Sequence, residues 1–362
     1  MKSFPNKPKA PSHCASAFTI VELLVASAIL IMMVALLFIM VNQTSTTWKA
    51  TSGKIEQFRA ARDAFDTITR RVSQATLNSY LDYVTNSSGV TVAYLRQSEL
   101  RFISGPMTNF LTNLPTTNPG MCVFFQAPNG FNTNTNNSIL QNALNSWGYF
   151  LEYGADTNNR PGFLTNSGPK VRFRYRLMEF MEPTESLSIY NYTTNRAYTG
   201  VEWITNSLGL TSNRPVHVLA ENVIALILLP KLPTADWATN ASHPNTTYVA
   251  SSLCPNYSYD SSINQNSNLP LSQDQACLNS HNQLPPVMQV TLIAVDEASA
   301  IRFPAIYTNL ASTFSRWFTN AASFTNDLTS CQNFLSSNKF NFRVFTTDVM
   351  VKGAKWSSSQ TN

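Results

Sequence analysis

Residues 17–41 read AFTIVELLVASAILIMMVALLFIMV, an apolar run that holds a single charge, Glu22. From Leu23 to Val41 there are 19 residues without a charge, and at about 1.5 Å per residue that length matches the hydrocarbon core of a bilayer. The run is read as a membrane span. A secretory signal peptide has a shorter apolar region, about 7–15 residues, followed by a small-residue cleavage site. Here the small residues Ala15, Ser16 and Ala17 come first and Asn42-Gln43-Thr44 follows, so cleavage after the run is not expected.

Working outward towards the N-terminus, Lys2, Lys7 and Lys9 precede the run and no acid lies among the first 17 residues. Positive charge before a span favours a cytoplasmic N-terminus, with the bulk of the chain on the far side of the membrane, although Lys49 and Lys54 reduce the asymmetry. The formal net charge is +5, from 25 Lys and Arg against 20 Asp and Glu; without the three leading lysines it is 22 − 20 = +2. The basic balance thus belongs largely to the tail, and no Lys/Arg stripe of the kind that neutralises phosphates is present, so nucleic-acid binding is not expected. With 43% hydrophobic and 12% charged residues, the chain is expected to fold around a core.

Working outward in the other direction, no proline interrupts residues 18–83. Apolar residues recur at Trp48, Ile55, Phe58, Ala61, Phe65, Ile68, Val72 and Ala75, a spacing near 3.5 that predicts an amphipathic helix continuing the span through residues 42–83. Gly53 is its weakest point. Such a stripe gains its stability from packing, so a partner surface is expected. Arg59, Arg62, Arg70 and Arg71 are read as its solvated or interfacial face.

The partner follows as runs rich in β-branched and aromatic residues: VTVAYL near 90, ELRFI from 99, MCVFFQ from 121, WGYFLEY from 147, VRFRYRLMEF from 171, VHVLAENVIALILL from 216, VMQVTLIAV from 287 and FRVFTTDVMV from 342. They predict strands of a mainly antiparallel sheet resting on the long helix, an α+β class rather than a doubly wound one. A further helix is expected around Leu310–Phe334. Two polar, Asn-rich inserts, 132–145 and about 234–286, are read as surface excursions, the second long enough to suggest a partner-binding loop.

Chemistry-bearing patterns are sparse. Of the four histidines, His13 is in the tail, His217 in a predicted strand and His243 and His281 in the long insert, without metal-site spacing. No GxSxG, Walker or GxGxxG pattern follows a strand. Glu179, Glu182 and Glu185 recur at intervals of three, and Asp296-Glu297 follow a strand. Either group could serve acid–base chemistry or hold a hard cation, but neither has a neighbouring His, Lys or Cys, and strand-end capping and solvated charge is the preferred reading. No enzyme, cofactor or metal site is expected. Cys14 lies in the tail; Cys122, Cys254, Cys277 and Cys331 allow three pairings, with Cys254–Cys277 the first choice for a bridge and unpaired buried thiols equally open.

At Ala17-Phe18-Thr19-Ile20-Val21-Glu22-Leu23 the sequence resembles the class III signal of type IV pilins and type II secretion pseudopilins. The resemblance implies a leader of residues 1–17, a prepilin peptidase cut between Ala17 and Phe18, N-methylation of Phe18 and an assembly role for Glu22, the fifth residue of the mature chain. The family prefers Gly before the cut, where this chain has Ala17. It also implies a transmembrane half over 18–41, an amphipathic half over 42–83 and a periplasmic or extracellular β-rich head over 84–362. That is a single-pass inner-membrane subunit similar to large minor pseudopilins of the J type, whose partners are other pilin-like subunits. WGYFLEYGAD, NRPGFL, RFRYRLMEFMEPTESLSIY, LAENVIALILLPKL, LPPVMQVTLIAVDEASA and FRVFTTDVMVKGAKWS resemble segments of the pilin-like family Verru_Chthon cassette protein C. A different class of function is a signal-anchored periplasmic binding protein that uses its Asn-rich loop and keeps its leader. An envelope hydrolase built on the carboxylate clusters is a third.

Overall fold

The computed structural model describes residues 19–110, 120–137, 139–156, 171–190, 201–210, 214–232, 253–254, 256–263, 280–302 and 316–356. The chain divides into two compact units, Met1–Gly53 and Lys54–Asn362. One helix, α1 (Ile20–Val72), contributes to both. In the first unit its side chains from Ile20 to Val41 are exposed, apart from the half-buried Ser27.

In the second unit the predicted stripe is real in its later part. Ala61, Ala64, Phe65, Ile68 and Val72 are buried and Phe58 packs against the core, whereas Ile55 is 63% exposed. The helix stops at Val72 rather than near Tyr83. The backbone after it has better partners elsewhere: Ala75 N–H closes a turn on Val72 C=O, Thr76 N–H joins the carbonyl of Gln126, and Asn78 takes a left-handed φ of 46°. Residues 80–83, expected as helix, belong instead to a strand that runs to Thr85.

Strands β1 (Tyr80–Thr85) and β2 (Thr91–Gln97) form a hairpin. Its turn is closed by Asn86, whose side-chain oxygen accepts the N–H groups of Ser88 and Val90, with Gly89 at φ 75°. Leu81, Tyr83, Val92 and Tyr94 share one exposed face of this hairpin. The base is tied down by Arg96, which donates to Gln283 Oε1 and to the carbonyl of Lys355.

Strands β3 (Ile103–Pro106), β4 (Met121–Ala127), β5 (Asn145–Ala155), β6 (Phe173–Glu182), β7 (Val216–Glu221) and β9 (Tyr259–Asp260) make a six-stranded antiparallel sheet in the order β7-β6-β5-β4-β3-β9. Strands β8 (Val223–Lys231), β10 (Val287–Val295) and β11 (Phe342–Met350) make a second antiparallel sheet, with β10 in the middle. Outside the sheets lie the short helices α2 (Met107–Phe110) and α3 (Glu202–Leu208) and the longer α4 (Phe324–Ser337), besides single helical turns. Among the described residues the layout is α+β with two sheets and a hairpin rather than one sheet. The run VHVLAENVIALILL is two strands, because Asn222 adopts φ 61° and sends β8 out of the first sheet into the second. β8 is then buried from Val223 to Pro230 and packs against β3, β4, β5 and β6, which is why it reads as unbroken apolar sequence.

Phe124, Phe150, Phe180 and Trp203 form the aromatic centre of the larger sheet. Gly148 makes room for it, since a Cβ there would overlap the ring of Phe124. The second Asn-rich insert is not a pure surface excursion. Its described parts carry β9 and the buried Leu253, Cys254, Tyr257, Asp260, Ser280 and Leu284, and Arg101 Nε donates to Asp260 Oδ1 at 2.9 Å. The expected helix near 310–334 appears as α4 in its later half; 303–315 lie outside the described residues.

Candidate functional site

The first unit presents the feature that the sequence singled out. Thr19 and Glu22 form a reciprocal cap at the start of α1: Glu22 N–H donates to Thr19 Oγ1 at 3.3 Å, and Thr19 N–H and hydroxyl both donate to Glu22 Oε2 at 3.1 Å. Leu23 N–H then makes a first helical bond to Thr19 C=O at 3.2 Å. A carboxylate here is favoured twice, by the orphan N–H groups it satisfies and by the helix dipole. The signal for this cap, Thr-x-x-Glu, stands in the sequence at 19–22. Glu22 Oε1 accepts no hydrogen bond from the described residues, so half of the carboxylate is unengaged. Ala17 and Phe18, the expected cleavage pair, lie outside the described residues.

Beyond Glu22 the helix offers an apolar surface without interruption. Leu23, Leu24, Ile31, Phe38 and Val41 are each more than half exposed. Ser27, Thr46 and Thr47 turn their hydroxyls back onto helix carbonyls at 2.8–2.9 Å, so these three hydroxyls need little water. The helix is long and apolar enough to cross a membrane.

In the second unit the structure separates the carboxylates that the sequence grouped. Glu179 pairs with Arg71, whose guanidinium also donates to Tyr149 Oη at 2.9 Å and lies 3.7 Å from the centre of the Trp147 ring. Arg71 is therefore an inward, packed residue and not part of a solvated arginine face. Glu182 is buried and accepts from the hydroxyls of Ser188 and Ser207 at 2.8 and 2.7 Å; burial pushes its pKa up, against those hydrogen bonds. Glu185 accepts the backbone N–H groups of Thr133 and Asn134 at 3.3 and 3.0 Å, and these bonds, that of Asn134 first, hold its carboxyl down at about 2. Three residues spaced by three thus do three unrelated jobs at the end of β6.

Asp296 and Glu297 sit at a junction of elements. Asp296 is fully buried and caps the helical turn that begins at 297, accepting from Ser299 N–H at 2.9 Å. Lys54 lies 3.4 Å away and Asn341 donates at 2.9 Å. Burial would raise its pKa, but the hydrogen bonds from Ser299 and Asn341 and the Lys54 ammonium outweigh that and hold it below the ordinary range. Glu297 accepts from Arg174 at 2.5 Å, Arg172 at 3.1 Å and Asn222 at 3.0 Å, and its own N–H donates to Gln57. The pair thereby joins α1, β6, the β7–β8 turn and the end of β10. Capping describes Asp296, and solvated charge describes Glu185, which is exposed, but not Glu182 and Asp296, which are buried.

Among the described residues no group of three His, Cys, Asp or Glu is placed to hold a metal ion. Cys122 and Cys331 are buried thiols, and Cys254 is buried as well; Cys277, its expected partner, lies outside the described residues. Compared with known proteins, the chain matches no family model, no curated protein and no solved structure.

Proposed function

We propose that this chain is a non-enzymatic, pilin-like subunit of an envelope filament, of the minor pilin or pseudopilin kind, anchored in the inner membrane with its head in the periplasm. The observation that carries the reading is the pairing of one carboxylate with a bare apolar helix: Glu22 heads a charge-free surface long enough to span a bilayer, and one of its oxygens is unengaged. A carboxylate in a bilayer costs about 2.5–3.5 kcal/mol on insertion scales, and such residues face partners rather than lipid. Cleavage after Ala17 by a prepilin peptidase would expose the α-amino group of Phe18. The Glu22 carboxylate of one subunit then meets the Phe18 ammonium of a neighbour, offsetting both desolvations and fixing the register of helices that otherwise slide.

The capping box sharpens the test. Gln at position 22 can still accept from Thr19, so Glu22→Gln keeps the helix start while removing the charge. The variant inserts normally, and its recovery in a sheared filament fraction falls at least about tenfold, the ratio that 1.4 kcal/mol produces. Unchanged incorporation of Glu22→Gln removes the proposed pairing.

A further inference from the structure

In the second unit, Arg70, Arg71 and Gln74 at the end of α1, Asn129 and Phe131 from the loop after β4, and Trp147 from β5 line an open cleft of about 330 Å³. That is the low end of the size range for small-molecule sites. All six residues belong to the Lys54–Asn362 unit, so nothing here depends on how the apolar helix assembles.

The lining is rich in donors that the fold does not use. Arg71 is committed to Glu179, Tyr149 and the face of Trp147. Arg70 is not: its guanidinium has no ion pair or hydrogen bond among the described residues, and neither do the side-chain amides of Gln74 and Asn129. Trp147 is 4% exposed, and its indole N–H is buried without an acceptor among the described residues. Phe131 is 45% exposed and supplies an apolar wall.

Charge selects the class of guest. Two guanidiniums less the Glu179 carboxylate leave +2 − 1 = +1, and the helix C-terminus opposes this by only about half a charge. The cleft thus keeps a modest positive character: enough to favour a carboxylate over a neutral group, and small for a phosphate, which gains most from several cations or a row of backbone N–H groups. We infer that the cleft binds a carboxylate carried on an apolar group. Arg70 pairs with the carboxylate, the amides of Gln74 and Asn129 donate to its oxygens, and Phe131 covers the apolar part. The guest is either a free organic acid or an acidic side chain next to an apolar one on a neighbouring polypeptide.

The test uses the full chain in detergent, titrated calorimetrically with phenylacetate, with its neutral analogue phenylacetamide and with the capped dipeptide acetyl-Phe-Glu-amide. Saturable binding by phenylacetate in the millimolar range, expected for about ten heavy atoms in an open site, identifies a free-acid site; binding by the dipeptide alone identifies a polypeptide-docking site. Either way phenylacetamide does not bind, and Arg70→Gln and Asn129→Ala, both outside the core, each weaken binding at least about fivefold while the chain's thermal unfolding midpoint stays in place. Absence of saturable binding by both carboxylates, equal binding of phenylacetamide, or binding unchanged in Arg70→Gln overturns the inference.

Discussion

The guanidinium of Arg71 lies over the ring of Trp147, 3.7 Å from its centre, while it pairs with Glu179 on the neighbouring strand. This one side chain fastens the C-terminal turn of α1 to the larger sheet through a stack, an ion pair and a hydrogen bond to Tyr149. Removing it leaves Glu179, whose side chain is 13% exposed, without its cation. Arg71→Met is therefore expected to destabilise the second unit by about 2–4 kcal/mol. Urea unfolding checks the value. Adding Glu179→Gln to Arg71→Met should recover a good part of the loss, because the stranded charge goes with it; additive losses would show that the two residues are not coupled.

The two end-of-β6 glutamates should give stability opposite pH dependences. Glu185 titrates near 2 in the folded chain, below the ordinary 4.5, so its contribution is full above about 4.5 and is lost as pH falls towards 2. Glu182 is raised by burial, so folding loses stability as pH rises from 4.5 through its elevated pKa. Unfolding midpoints of Glu185→Gln and Glu182→Gln across this range should each lack the corresponding slope.

Cys122 and Cys331 are fully buried, and burial raises both thiols, Cys331 to about 12. They are expected to resist a thiol reagent at pH 8 in the folded chain and to react only on unfolding. Non-reducing peptide mapping of chain taken from the envelope should then find Cys122 and Cys331 as thiols. A bridge that includes Cys122 or Cys331 contradicts their burial.

Glu297 gathers Arg172, Arg174 and Asn222, while Gln57 binds its backbone N–H. Its side chain is 31% exposed, so solvent screens the pairs and Glu297→Gln is expected to cost about 1 kcal/mol, a loss that shrinks in high salt. Thermal unfolding at low and at 1 M salt checks the sign of that dependence.

The sequence made some of this legible and hid the rest for physical reasons. Period and composition are local, so α1, the buried stripe Ala61, Phe65, Ile68 and Val72, and strands β4, β5, β6, β10 and β11 were visible. The change of sheet at Asn222 rests on one left-handed backbone residue, which the apolar run around it conceals. The first strand of the hairpin carries Tyr80, Leu81, Tyr83 and Val84, which the sequence reading carried on as helix to Tyr83, and the bond from Thr76 to Gln126, the left-handed Asn78 and the pairing with β2 decide against the helix. Arg71 and Glu179 are 108 positions apart, so no reading of spacing brings them together. At the N-terminus the opposite holds: Glu22 was singled out, yet its nearest partner, Thr19, stood three residues away.

The central claim concerns what happens just before that cap. Intact-mass and N-terminal peptide analysis of the chain from its own membranes tests it most directly. The account predicts a mature chain that begins at Phe18 and carries an N-methyl group. A chain that begins at Met1, or that otherwise retains residues 1–17, would leave Glu22 no Phe18 ammonium to meet and would contradict it.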